Sequence, residues 1–160
     1  MATFTVASLA YDNQNLTHRG QAFTPNVAGP DGTGSPGSAT EVFLNDFILG
    51  YRAATTTDRA ETAYLYDTLP ALADLNSGIG AIDVSSSYTD GNVFGTDTYT
   101  RTFNFSNPVT LDPTKVYYVL FASNQTARYK NTVVYAGGAA YNNYLLDDSK
   151  TLQFKADFSC

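Results

Sequence analysis

His18 is the one histidine and Cys160 the one cysteine of the chain. A Ser-His-Asp triad, a Cys-His dyad and a His-based metal cluster each need an imidazole. His18 alone could supply it, and it sits in the polar stretch Asn15-Leu16-Thr17-His18-Arg19-Gly20, which reads as a solvated turn. A lone cysteine forbids a disulfide within the chain. Cys160 reads as a frayed terminal thiol, with a link to another chain as the sharper alternative. Chain ends are usually mobile, so it is not placed as a nucleophile. Glycoside hydrolysis needs two acids across a cleft. Glu41 and Glu61 are the only glutamates, and most aspartates fall in turns, where Asp bonds its own backbone. Nothing singles out a pair, and the expectation is a protein without catalytic activity or a required cofactor.

Two binding chemistries remain. Calcium takes carboxylate and carbonyl oxygens from loops. Asp90-Gly91-Asn92 and Asp147-Asp148 are the clusters to consider, as a structural calcium site built on Asp90, Asn92, Asp147 and Asp148. Neither fits the EF-hand pattern, and plain turn chemistry is the simpler reading of both. A sugar would need an aromatic platform beside polar side chains. Trp is absent, but Tyr offers an apolar face and a polar tip. The tyrosines next to turn signals are Tyr88, Tyr129, Tyr135, Tyr141 and Tyr144, and Asn142 and Asn143 put two amides between the last two rings. The competing reading is that these tyrosines cap the core or pack on a partner subunit.

Such residues need a scaffold. The chain has 160 residues, which fits one domain spanning 1–160. A domain of this size buries roughly two-thirds of its unfolded surface and needs no disulfide or metal to fold. Charged residues make up 15%, below the usual ~25%. The net charge of −6 is carried with only 9 scattered Lys and Arg, so no basic patch exists to release counterions from phosphates, and nucleic-acid binding is set aside. No apolar run approaches the ~20 residues of a membrane helix. The first residues have no basic and apolar leader pattern. Two origins fit that start: a protein that acts without Sec export, or a module cut from a larger secreted protein.

Abundant Thr, Tyr, Phe and Val favour pleated, half-buried surfaces. Alternation with period 2 predicts strands. In residues 151–158, Leu152, Phe154, Ala156 and Phe158 take one face, and Thr151, Gln153, Lys155 and Asp157 the other. Residues 99–105 alternate around Phe103 and Phe105. Residues 116–122 are apolar on both faces, as a covered central strand would be. Further strands are predicted at 41–51, 62–67, 79–84 and 131–136, with short ones at 4–6 and 21–24. Leu69, Leu72 and Leu75 allow one short helix over 67–75. Residues 28–39 are rich in Gly, Pro and Ser and predict an exposed loop. The fold class expected is all-β, an antiparallel β-sandwich of jelly-roll type.

Several phrases fall in a familiar order: Gly20-Gln21-Ala22-Phe23-Thr24-Pro25, then Ala63-Tyr64-Leu65-Tyr66-Asp67. Phe103-Asn104-Phe105-Ser106-Asn107-Pro108-Val109-Thr110-Leu111 follows and runs into Lys115-Val116-Tyr117-Tyr118-Val119-Leu120. Tyr135-Ala136-Gly137-Gly138-Ala139-Ala140-Tyr141-Asn142 comes last. In this the chain resembles extracellular jelly-roll domains that accompany bacterial surface-sorting signals, carbohydrate-binding-module-like domains and related phage virion domains. It departs from surface-anchored members in carrying no apolar anchor or basic tail after Phe158.

Two functions follow as expectations. The first is a structural subunit, a capsid-decoration or surface protein of a virion, whose partners are itself and other shell proteins. The alternative is an extracellular carbohydrate-binding module of a polysaccharide-active protein, with a glycan as partner.

Overall fold

The fold is taken from a computed structural model. It describes residues 2–8, 12–17, 20–29, 34–51, 60–74, 77–94, 99–121, 128–132, 135–142, 145–147 and 151–160, with backbone alone at 12–17, 72, 128–132, 141–142 and 145–147. The described strands are β1 (Thr3–Ser8), β2 (Asp12–Thr17), β3 (Gly20–Phe23), β4 (Val42–Tyr51), β5 (Ala63–Tyr66), β6 (Asp83–Val84), β7 (Ser87–Gly91), β8 (Tyr99–Asn104), β9 (Thr110–Leu111), β10 (Tyr117–Phe121), β11 (Arg128–Thr132), β12 (Ala140–Asn142), β13 (Leu145–Asp147), β14 (Thr151–Leu152) and β15 (Phe154–Ser159). All pair antiparallel.

They form two sheets. The smaller runs β13-β12-β3-β10-β5-β6. The larger is organised around β4, which pairs with β15, β8, β9 and β11. β1 lies outside β15, and β7 lies outside β8. The core fills the space between the sheets. Phe47 of β4 stacks on Phe154 of β15 with centroids 5.5 Å apart and meets Phe23 and Phe121 of the smaller sheet at 6.2 and 6.4 Å. Phe103 stacks on Phe121 across the sheets at 5.6 Å. The domain is an all-β antiparallel sandwich, and its core is largely a set of interlocked rings.

Most predicted strands are present. The apolar phase of 151–158 is fully buried as expected, but its other phase is only half wet, because Thr151 and Gln153 are buried too. Their polar atoms tie the end of the sandwich together: Thr151 Oγ1 accepts from Tyr135 N at 3.1 Å, and Gly50 N donates to Gln153 O at 2.9 Å. The strand also breaks at Gln153 into β14 and β15. β10 is central, as its two apolar faces required. Leu120 and Tyr66 form a second small cluster on the outer face, covered by Leu69 and Ala81. The helix expected over 67–75 is a single 3₁₀ turn, Leu72–Asp74. The strand expected at 79–84 shrinks to β6, and that expected at 131–136 ends at Thr132 of β11, with Tyr135 outside any strand.

Residues 28–39 are less free than a loop of their composition suggests. Gly29 is buried, and both Gly29 and Gly34 lie against the backbone of β1. A Cβ at Gly29 would collide with the carbonyl of Ala7, and one at Gly34 with that of Thr5. The described ends of the loop therefore close over the outer strand β1. Residues 30–33 lie outside the described residues.

Candidate functional site

The feature most in need of a physical account is Arg101. Its position on β8 falls in the same phase as Phe103 and opposite Leu49 of β4, so the guanidinium points into the sandwich, where it is 2% exposed. A buried charge is tolerated only when paired and hydrogen-bonded. Asp90 of β7 is its directly opposite cross-strand partner. Arg101 Nε donates to Asp90 Oδ1 at 2.7 Å and Nη2 donates to Oδ2 at 2.9 Å, a two-pronged contact. Nη1 donates to the Ala60 carbonyl at 2.7 Å. The guanidinium carbon also lies 3.9 Å from the ring centroid of Tyr88. Burial by itself would lower the Arg101 pKa. The hydrogen bond and charge of Asp90, with Tyr51 and Tyr88, outweigh it and hold the group above its ordinary value.

The same end of the larger sheet carries an aromatic row. Residues opposite one another in an antiparallel pair share a face. Tyr129 of β11 is opposite Tyr51 of β4, and Tyr51 is opposite Tyr99 of β8. Tyr51 is buried, whereas Tyr99 and Tyr88 are each 39% exposed. The cluster thus has a buried charged centre, two half-exposed rings and an outer strand. The bonds of Arg101 to Asp90 and to Ala60 tie β7 and the segment before β5 to β8.

The expected site residues fall on several elements. Tyr88 and the position of Tyr129 belong to the cluster just described. Tyr135 does not face solvent: it is 3% exposed, its ring meets Phe154 at 5.9 Å, and its hydroxyl bonds the carbonyls of Thr24 and Val27 at 2.9 and 2.8 Å. Burial pushes its pKa up to about 12, against a smaller lowering by the Thr24 backbone bond. Tyr141 sits by register in another row, with Gly20, Leu120 and Tyr64 on the outer face of the smaller sheet. Asn142 is the last residue of β12, and Asn143 and Tyr144 lie outside the described residues. Of these tyrosines, Tyr88 and Tyr135 have described side chains, the first exposed and the second buried.

Of the residues considered for calcium, Asp90 lies with Gly91 in β7 rather than in a loop, and both its oxygens accept from the Arg101 guanidinium. Asn92 follows the strand, Asp147 ends β13, and Asp148 lies outside the described residues. No group of three or more His, Cys, Asp or Glu side chains stands together among the described residues. His18 is outside them. Cys160 is not frayed: its N–H donates to Ala2 O at 2.9 Å and its carbonyl accepts from Ala2 N at 3.2 Å, which extends the β1–β15 ladder.

Arg101, Tyr51 and Tyr99 were not singled out from the sequence. One signal was available. Tyr99, Arg101, Phe103 and Phe105 share a phase, so the alternation that buries Phe103 must bury a charge at Arg101.

Comparison with known proteins finds no matching family model, no matching curated protein and no matching solved structure.

Proposed function

We propose that the chain is a non-catalytic structural subunit that works by assembly, as a decoration or surface protein of a virion does. One observation carries this reading: two of the outer strands of the larger sheet, β1 and β7, are treated differently. β1 is closed over by residues at Gly29 and Gly34. Among the described residues β7 has no such cover: four of its five residues are exposed and the fifth is half-buried. Proteins that stay apart usually blunt such an edge with Lys, Pro, a bulge or a covering loop. β7, Ser-Tyr-Thr-Asp-Gly, has neither Lys nor Pro. Sedimentation velocity over a wide concentration range tests the reading. A subunit of an assembly is expected to form a larger species as concentration rises. A monomer at every concentration up to about 1 mM, the weakest Kd worth about 4 kcal/mol, would overturn it.

The second reading is a carbohydrate-binding module. It is favoured by the half-exposed Tyr88 and Tyr99 on one face beside Arg101. Retardation in gels containing plant, algal or bacterial polysaccharides tests it, with Tyr99→Ala expected to abolish any retardation. Against it stands the use of the Arg101 and Asp90 polar atoms within the protein itself.

A further inference from the structure

We infer that β7 is the contact between copies, and that two molecules join there antiparallel about a two-fold axis at Thr89, making one continuous sheet. The inference rests on the assembly reading and names its surface and partner.

Three observations lead to it. First, β7 is anchored. An outer strand with a single neighbour normally frays. Here Asp90 is gripped by the buried Arg101 through two bonds, and Tyr88 lies against the same guanidinium. A strand already ordered loses less entropy when another strand pairs with it. Among the described residues β7 pairs only with β8, and no other described strand takes its second edge.

Second, the edge is electrically quiet. The chain carries a net charge of −6, and copies that meet through most surfaces would repel. Asp90 is the only charged residue of β7, and Arg101 balances it.

Third, the strand is self-complementary in one register. A two-fold axis at Thr89 sets Thr89 opposite Thr89 of the second copy, Tyr88 opposite Asp90, and Ser87 opposite Gly91. No like charges face each other. Thr89 is opposite Thr102 within the chain, so the outer face would carry four threonines in one cross-strand row. Cross-strand Thr pairs are favourable. A second copy is therefore the occupant that this edge fits.

The test uses the full chain with Cys160→Ser, which removes the only native thiol. In that background Thr89→Cys is expected to form a disulfide-linked dimer under mild oxidation, because paired strands bring opposite Cα atoms to about 4.5–5.5 Å, within disulfide reach. Thr102→Cys is the control. Its two copies would lie about 14 Å apart, three strand spacings, and should not link. Thr89→Lys sets two ammonium groups opposite each other and is expected to weaken association at least tenfold while leaving the circular dichroism spectrum unchanged. Linking through Thr102→Cys as readily as through Thr89→Cys, or association untouched by Thr89→Lys, would mean that copies meet elsewhere. The inference would then fall while the assembly reading stood. A strictly monomeric wild-type chain would remove both.

Discussion

Removing either member of the Arg101–Asp90 pair leaves a charge behind, but the two charges are left in different surroundings. Asp90→Ala leaves a guanidinium 2% exposed, whereas Arg101→Leu leaves a carboxylate side chain 32% exposed, within reach of water. The first loss should be the larger, because the more deeply buried group loses its two-pronged partner, and the second should fall below it. Urea denaturation of the two variants should give that order; the reverse order would mean that Arg101 acts mainly through its packing. Arg101→Lys keeps the charge without the fork and should fall between wild type and Arg101→Leu. Tyr135 makes a different point about burial. Its pKa is pushed up to about 12, well above that of an ordinary tyrosine, so the folded protein favours the neutral phenol. The unfolded chain ionises first as pH rises. Stability from this group is therefore complete below pH 10 and is lost between about 10 and 12. Tyr135→Phe should lower stability at neutral pH by about 1–3 kcal/mol, since the carbonyls of Thr24 and Val27 lose a donor. It should also flatten the alkaline decline measured by fluorescence or circular dichroism. An unchanged decline would place the alkaline sensitivity on other groups.

The outer strand β1 is protected by two glycines that no other residue could replace without displacing the loop. Gly34 has φ of 102°, in the region L side chains rarely adopt, and its missing Cβ leaves room for the Thr5 carbonyl. Gly34→Ala should destabilise by about 1–3 kcal/mol from backbone strain alone, and it should speed hydrogen exchange in β1. Gly37→Ala is the matched control: its φ is 62° but nothing lies within 4 Å of a Cβ there, so it should leave exchange in β1 unchanged. Equal effects on β1 from both variants would show that the loop does not protect the strand. Elements of this kind mark the limit of what the sequence made legible. Period-2 alternation found β4, β8, β10 and β15 because each has an apolar phase facing the other sheet. It missed β2, Asp-Asn-Gln-Asn-Leu-Thr, and β7, Ser-Tyr-Thr-Asp-Gly, because both are built mostly of turn-forming residues and take their pairing from a neighbour. The candidate site suffered most. Asp90 reads as a turn residue until its cross-strand partner is known, and that partner is eleven residues away. Tyr135 reads as a surface ring because Gly137 and Gly138 follow it, yet those glycines make the turn that lets its hydroxyl reach back to Thr24.

At the scale of the whole molecule, charge and shape make opposing demands. A net charge of −6, with a pI of about 4.4, sets up repulsion between copies at neutral pH. Exposed apolar side chains nevertheless gather in the chain around β7: Val84 before it, Tyr88 within it, Val93 and Tyr99 after it. If copies join along this strand, the contact gains main-chain hydrogen bonds and buried apolar area, and its opposing term is the long-range repulsion of two acidic bodies. Added salt screens that repulsion, since the screening length falls from about 30 Å at 0.01 M to about 8 Å at 0.15 M. Association should therefore strengthen as sodium chloride rises over that range, and strengthen again as pH is lowered towards the pI. A contact made of intermolecular ion pairs would behave in the opposite way and weaken with salt. Sedimentation equilibrium at several ionic strengths separates the two cases: weakening with salt would move the interface away from β7, because the one charge on that strand is already neutralised within its own molecule by Arg101.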